Sequence, residues 1–177
     1  MKTFFTSDTH FGHKRILEYC ATTRQYSSIE EHDEALIEKW NSVVGKNDLV
    51  YHLGDVSFST HQRNVEIFQR LNGKVSLILG NHDRGMGELL PYARNIVEIV
   101  SYKEIKVGKK HFMLFHFPIE SWNKVHYGSI HLHGHTHGAI SHHPTDSKAR
   151  RMDVGVDCHK DNAPFTVEEI MAYLGEK

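Results

Sequence analysis

Five short segments of this 177-residue chain carry side chains that bind metal ions, and each segment follows an apolar run. In chain order these segments are Asp8-Thr9-His10, Gly54-Asp55, Gly80-Asn81-His82-Asp83, His116 and Gly134-His135-Thr136-His137. Imidazole together with carboxylate suits Mn, Fe, Zn, Ni or Co better than calcium. Because a carboxylate has two oxygens, an aspartate can also bridge two such ions. The residue types therefore predict a metal centre.

The spacing inside the segments adds a geometric expectation. Asp8 and His10 are two residues apart, so an extended backbone would point both side chains to the same side. His135 and His137 repeat this arrangement. Glycine comes directly before Asp55 and also stands in two of the other segments, where it permits tight turns and close backbone approach.

The apolar runs before these segments are typical of buried strands. Predicted strands cover residues 2–6, 49–53, 75–79, 96–100, 104–107, 111–115, 130–133 and 152–156. Predicted helices run from a Ser28 capping box to Gly45, from Ser59 or Thr60 to near Gly73, and over 166–174 as a helix or strand–helix segment. This order predicts a layered α/β fold with mixed sheets. Since ligands collect at the carboxyl ends of strands in such sheets, we expect the five segments to build one site.

Length and composition narrow the class of protein. Hydrophobic residues make up 39% of the chain and charged residues 24%, as in ordinary globular proteins, and the length favours one domain over residues 1–177. The formal net charge of −1 argues against a broad nucleic-acid surface. Two cysteines, an early polar start and the lack of an apolar run of ~20 residues favour a cytoplasmic protein without a membrane span. Sixteen histidines, spread through the chain, support the metal prediction.

The five segments, taken together, resemble the calcineurin-like metallophosphoesterase superfamily. The family pattern is Asp-x-His, Gly-Asp, Gly-Asn-His-Asp/Glu, His and Gly-His-x-His, and it is matched here from Asp8 to His137. Residues 153–157 resemble the family's closing strand, and the opening around Asp8 is similar to small stand-alone prokaryotic or phage members. The resemblance implies two packed mixed β-sheets flanked by helices, a four-layer αββα sandwich.

The resemblance also implies a role for each motif residue. One metal ion would be held by Asp8, His10 and His137, the other by Asn81, His116 and His135, with Asp55 bridging both. His82 would face the phosphate, and Asp83 would orient its ring. The cofactors expected are two divalent ions, manganese first, with Fe, Zn, Ni or Co as alternatives.

A metal-dependent phosphoric ester hydrolase is the function that follows from this resemblance. A hydroxide bridging the two metals would attack phosphorus. The segment after Gly54-Asp55 lacks the phosphate-clamping arginine of protein phosphatases, since the first arginine after it is Arg63. That departure favours phosphodiesters slightly over phosphomonoesters and leaves Arg84, His13 or the metals alone to grip the phosphate. The expected substrate is a phosphorylated small molecule or nucleotide. The alternatives are a phosphomonoesterase of small molecules and a catalytically silent scaffold.

The remaining histidines and one polar stretch are given supporting roles. His52, His131 and His133 lie inside strand patterns and are expected to be core residues or to orient ligands. Five histidines are expected to face solvent: His32, His61, His111, His126 and His159. Residues 141–151 are predicted to form a surface loop, either simply solvated or acting as a lid over nucleotide phosphates.

Overall fold

The computed structural model describes residues 1–140 and 150–175, which form two mixed β-sheets and four α-helices. The larger sheet has the strand order β4-β3-β2-β1-β9, parallel except for β9. Its strands are β1 (Thr3–Thr6), β2 (Leu49–His52), β3 (Lys74–Ile78), β4 (Ile96–Val100) and β9 (Phe165–Thr166). The helices are α1 (Ile16–Tyr19), α2 (Ile29–Val43), α3 (His61–Arg70) and α4 (Val167–Tyr173).

The smaller sheet has the order β5-β6-β7-β8. Its strands are β5 (Tyr102–Val107), β6 (Lys110–Phe115), β7 (Ile130–His133) and β8 (Arg150–Asp153). Strands β5 and β6 form an antiparallel hairpin, while β6, β7 and β8 run parallel. The carboxyl ends of β1, β2, β3, β6 and β7 each precede one of the five metal-binding segments.

Strand alternation divides the core into two apolar layers. Phe4 of β1 packs with α2 and α3 residues, whereas the next residue, Phe5, packs between the two sheets. The same alternation separates Val50 from Tyr51 on β2. Because successive strand side chains point to opposite faces, strands β1 to β4 of the larger sheet supply both layers. The two sheets are thus packed face to face, with α2 and α3 on the outer side of the larger one.

The outer face of the smaller sheet is covered by the connection between β6 and β7. Met113 of β6 packs there against Trp122 and Val125, both 7% exposed. Residues Val125–Tyr127 form a single 3-10 turn within this connection. In the described part of the chain, the fourth layer of the sandwich is therefore a short irregular cover that contains one 3-10 turn.

The predicted elements are confirmed, with local corrections. The strand predicted at 152–156 is displaced, because Asp153 Oδ1 accepts a hydrogen bond from Gly155 N (2.8 Å) and this turn ends β8. Arg151 therefore lies in β8, not in the predicted surface loop, and is 9% exposed. Residues 141–149 of that loop lie outside the described residues. At the start of α2 only half of the capping box forms, since Glu31 accepts from Ser27 N and not from Ser28 N.

Two further corrections concern the exposure of histidines. His32 and His159 were expected to face solvent, but they are 0% and 8% exposed. His159 is buried because its ring packs edge-on against Phe165, 4.7 Å between centroids, and its Nδ1 accepts from Asp161 N.

Among the helices of residues 1–140 and 150–175, none has the length and apolar character that a bilayer crossing requires.

Candidate metal centre

The metal-binding segments converge at the carboxyl edge of both sheets. Ligand atoms of Asp8, His10 and His137 lie within 4.8 Å of one another, and we call this group the first cluster. Ligand atoms of Asp55, His116 and His135 do the same and form the second cluster. Five strand ends, separated by up to 129 positions in sequence, therefore deliver their side chains to one place, as the parallel strand arrangement predicts.

The backbone that delivers these ligands is not extended. Seven non-glycine residues in the described chain have positive φ, and five are in the two clusters: Asp8 (56°), His10 (49°), Asp55 (55°), His135 (71°) and His137 (47°). The expectation that an extended backbone aligns Asp8 with His10 is therefore wrong, because the strand has already ended and the chain turns in the left-handed region. Such conformations cost about 1–3 kcal/mol each and persist where the surroundings enforce them.

Asp55 lies between the two clusters. Its Oδ2 is 3.4 Å from His116 Nε2 in the second cluster and 3.8 Å from His10 Nε2 in the first. Its other oxygen, Oδ1, accepts a hydrogen bond from His82 N (2.9 Å), which fixes the carboxylate plane. The side chain can thus offer oxygen to both clusters at once.

The first cluster contains a buried nitrogen that has no hydrogen-bond partner among the described residues, His10 Nε2. Burial lowers the pKa of His10, so the ring is neutral at neutral pH and can offer a lone pair to a metal ion. Asp8 is fully buried, and burial together with the nearby Asp153 raises the pKa of the Asp8 carboxyl to about 7. An unpaired imidazole nitrogen beside two carboxylates is costly in a folded protein, and a bound cation removes that cost. The residues therefore fit a metal ion.

His116 anchors the second cluster to the main chain. Its Nδ1 lies 2.7 Å from Leu53 O, the contact of an N–H that donates to a carbonyl. That leaves Nε2 directed at Asn81 Oδ1 (3.0 Å) and at Asp55. Asn81 and His135 are both exposed, so this cluster faces the mouth of the site.

His137 is fixed by a charge network that the motifs do not reveal. Its Nδ1 lies 2.7 Å from Asp157 Oδ2. Because Nδ1 is engaged there, Nε2 is the nitrogen that can bind a metal ion. Asp157 in turn accepts from Arg24 Nε (2.9 Å) and Arg24 Nη2 (2.5 Å). Burial disfavours the Asp157 carboxylate, but its bonds to Arg24 and His137 outweigh this and hold its pKa well below the usual range.

Arg24 connects this network to the backbone of the first cluster. It is 1% exposed, and its Nη2 and Nη1 donate to the carbonyl oxygens of Asp8 (2.6 Å) and Thr9 (3.1 Å). Its Nη1 is also 3.2 Å from His32 Nε2, which explains why His32 is buried and not solvent-facing. Sequence reasoning missed Arg24 because no motif surrounds it. Asp157 could have been found as a candidate site residue, since it ends the segment 153–157, which resembles the family's closing strand.

Asp83 has a different role from the one expected. Its carboxylate accepts hydrogen bonds from the backbone N–H groups of Gly80 (2.8 Å), Asp55 (2.8 Å) and Val56 (2.9 Å). It makes no hydrogen bond to the His82 ring in the described part of the chain, because the turn at 80–83 folds the carboxylate back over its own loop. Asp83 therefore ties the loop after β3 to the loop after β2 and does not orient His82.

Of the three residues expected to meet substrate, His82 and His13 lie beside the first cluster. His82 is exposed, and its ring centroid is 4.8 Å from that of Phe58. His13 is half-buried, with its Nδ1 3.3 Å from His10 Nδ1, so it contacts a first-cluster residue directly. Arg84 is exposed and forms no hydrogen bond or ion pair within residues 1–140 and 150–175, so its part in substrate binding stays a prediction.

Two glycines allow the strand ends to approach this closely. A Cβ on Gly134 would lie 2.4 Å from Asp8 Oδ2, and one on Gly54, where φ is +91°, would lie 2.4 Å from Gly80 N. No side chain fits at either position without displacing a ligand or the backbone beside it. Behind the clusters, the buried His52 contacts Thr9 Oγ1 through Nε2 (3.0 Å), in line with the supporting role expected for it.

Comparison with known proteins gives the family. A profile described as the calcineurin-like phosphoesterase superfamily domain matches residues 1–156. An uncharacterised protein of Methanocaldococcus jannaschii is 36% identical over 160 residues, covering 88% of this chain and 82% of that protein. The gene 66 protein of Mycobacterium phage L5 is 34% identical over 184 residues, covering 88% of this chain and 86% of its own.

Solved structures show the same fold. A protein of unknown function from Aquifex aeolicus has a TM-score of 0.76 at 24% identity, covering 97% of this chain and 98% of its own. A structure described as a novel archaeal phosphodiesterase has a TM-score of 0.52 at 20% identity, covering 88% and 84%. With the profile spanning most of the sequence and both ligand clusters formed at the strand ends, the chain belongs to the calcineurin-like phosphoesterase superfamily and is a metal-dependent phosphoric ester hydrolase.

Proposed function

We propose that this protein hydrolyses phosphodiesters with a water molecule activated by two divalent metal ions. The first ion would be held by Asp8, His10 and His137, the second by Asn81, His116 and His135, with Asp55 shared. The position of Asp55 Oδ2 carries this proposal, since it lies 3.8 Å from His10 Nε2 and 3.4 Å from His116 Nε2. One oxygen thus stands beside a ligating nitrogen of each cluster.

The donor set suits manganese. It combines carboxylate and amide oxygens with imidazole nitrogens, and Mn²⁺ accepts both, although Fe, Zn, Ni or Co would also bind such ligands. Two bound divalent ions would supply the Lewis acidity that turns a bridging water into hydroxide and neutralises charge on the phosphoryl oxygens.

His82 is our proposed proton donor. Its main chain is anchored by the bond from its N to Asp55 Oδ1 (2.9 Å), while its ring is exposed at the mouth. Because Asp83 is occupied with backbone N–H groups, the ring can turn toward a bound ester. When protonated, it can stabilise charge on the leaving oxygen or protonate that oxygen.

Two arginines, Arg24 and Arg63, are already engaged by other groups, and this favours a diester over a monoester. A phosphomonoester carries up to two negative charges, whereas a diester carries one. A diester therefore needs fewer positively charged groups to bind it. Arg24, the arginine beneath the clusters, is committed to Asp157 and to backbone carbonyls. Arg63, the first arginine after Gly54-Asp55, is paired with Glu34 and Glu66. The proposed substrate is accordingly a phosphodiester of a small molecule or nucleotide, and the fold likeness to an archaeal phosphodiesterase makes diesters the first substrates to test.

The test compares bis-p-nitrophenyl phosphate with p-nitrophenyl phosphate, each with Mn²⁺ and with a chelator. We expect Mn²⁺-dependent turnover that is faster on the diester, and His82→Ala should lower kcat by about 10²–10⁴-fold, the usual contribution of general acid catalysis. His61→Ala, which removes an exposed histidine on α3, is the matched control and should retain activity. Faster monoester turnover would make the protein a phosphomonoesterase, and no turnover of either ester would leave the scaffold alternative.

A further inference from the structure

Phe58 is an exposed aromatic side chain at the edge of the metal centre. It is 43% exposed, although the two residues before it, Val56 and Ser57, are 1% and 5% exposed. Its backbone is fixed, because Phe58 N donates to Phe11 O (2.8 Å) and Ser57 Oγ donates to the same oxygen (3.1 Å). A hydrogen-bonded main chain therefore holds a partly exposed apolar ring at this place, and such a ring marks a binding site where it forms part of a contiguous exposed patch.

The Phe58 ring lies among three histidines of the site. Its centroid is 4.0 Å from the His13 centroid with 19° between the planes, so these two rings stack. It is 4.8 Å from the ring of His82, the proposed proton donor, and 5.4 Å from the ring of His10 in the first cluster. A group that stacks here would be attached to an ester whose phosphorus reaches the metal ligands.

A further ring, that of Tyr19, extends this aromatic surface. The His13 ring meets the Tyr19 ring edge-on, 6.1 Å between centroids, and Tyr19 is 58% exposed. The Arg15 guanidinium carbon lies over the Tyr19 ring, 4.7 Å from its centroid. We call Phe58, His13 and Tyr19 the aromatic ledge. Flat rings beside a phosphate-binding site are the means by which proteins hold nucleobases, because every base has a π face that stacks.

We propose that the aromatic ledge binds the nucleobase of a nucleotide phosphodiester and that Phe58 determines this preference. The inference rests on the proposed function for the reaction itself, and it adds the substrate class. An aliphatic ester would gain no stacking from these rings and would be held through its phosphate alone.

The test uses two esters with the same leaving group, thymidine 5′-p-nitrophenyl phosphate and methyl p-nitrophenyl phosphate. With Mn²⁺ we expect kcat/KM to be about 10–100-fold higher for the thymidine ester, the range that base stacking supplies. Phe58→Leu keeps an apolar side chain without a π face. It should reduce the preference to a few-fold, mainly through KM, whereas Phe58→Tyr should retain it. Tyr173→Ala, which removes an aromatic ring that is 68% exposed on α4, is the control and should leave the preference unchanged.

A binding measurement separates this inference from the proposed function. We expect thymidine 5′-monophosphate to bind the Mn²⁺-loaded wild type at least tenfold more tightly than it binds Phe58→Leu, whereas inorganic phosphate should bind both equally. Equal thymidine and methyl ester rates in the wild type, or equal nucleotide affinity in Phe58→Leu, would overturn the inference. If neither ester is hydrolysed, the proposed function fails, and the nucleotide affinities still decide whether the ledge binds a base.

Discussion

Each cluster has two buried ligands, but the two differ in their third ligand and in their bracing. The first cluster is braced by charged side chains and its third ligand, His137, is half-buried, whereas the second is braced mainly by backbone and its third ligand, His135, is exposed. Asp8 and His10 are 0% and 4% exposed, and Arg24 holds the main chain beside them. In the second cluster His135 is exposed, and His116 is fixed by a carbonyl oxygen. Since buried, preorganised ligands lose less freedom on binding, we expect the first ion to bind more tightly and exchange more slowly.

The shared residue gives the largest expected effect. Asp55→Ala removes the oxygen between the clusters, so both ions should be weakened and kcat should fall by about a thousandfold or more, as expected when several kcal/mol of charge stabilisation is lost. The measurement is kcat together with metal content per chain. Asp161→Asn, an exposed acid away from the clusters, is the control. An Asp55→Ala protein that keeps two ions and the wild-type rate would contradict the shared-ligand assignment.

The next effect separates the clusters. Asp157→Asn removes the charge that pairs with Arg24 and fixes His137. Loss of such a supporting partner costs about 10–100-fold in metal affinity, and we expect that loss at the first ion only. A stepwise Mn²⁺ titration by calorimetry measures both sites, and excess Mn²⁺ should restore much of the rate. Equal weakening of both ions would show that the network supports the whole centre and not one half.

A smaller effect is expected on the open side. Asn81→Ala removes a neutral ligand from beside the second cluster, so the second ion should bind about tenfold more weakly, a change of roughly 1.4 kcal/mol. Asn81→Asp adds a negative charge at the same place and should tighten that ion. The same titration reads both variants. If Asn81→Ala weakened the first ion instead, the division into a braced and an open half would be wrong.

The last effect acts on folding stability, not on metal affinity, and concerns the buried His131. Burial lowers the pKa of His131 to about 3 from 6.5, with the neighbouring His133 and Arg151 acting in the same direction. Below pH 6.5 the unfolded chain takes up a proton that the folded chain does not, so the stability due to His131 is present above pH 6.5 and is lost as the pH falls toward 3.

We therefore expect the stability of the wild type relative to His131→Gln to fall by about 2 kcal/mol between pH 7.5 and pH 5. Urea unfolding of metal-free protein at the two pH values measures this difference, and using the difference between proteins removes the opposite pH dependence of Asp8. A difference that stays constant with pH would show that His131 has the same pKa in the folded chain as in the unfolded chain.

Local sequence was sufficient for the strands and for the residues that gather at their ends. The strand at 96–100 and the strand at 130–133 were predicted at their observed bounds, because apolar runs between polar segments report burial directly. The side chains of Asp8, Asp55 and His116 were predicted to meet for the same reason, since parallel strands carry their carboxyl ends to one edge. The turn conformation at Asp8 was not predictable, because it depends on contacts that form after the strand ends.

What the sequence by itself determined is therefore the family, the strands that precede the motifs along the chain and the residues that form the clusters. Only the tertiary structure decided how those residues are held: Arg24 meets Asp157 across 133 positions, Asp83 ties two loops, and Phe58 stands exposed beside three histidines. The physical reason is range. Burial and strand alternation can be predicted from residues that are neighbours in sequence. A buried ion pair or an exposed ring depends on which distant segments the folded sheets bring together.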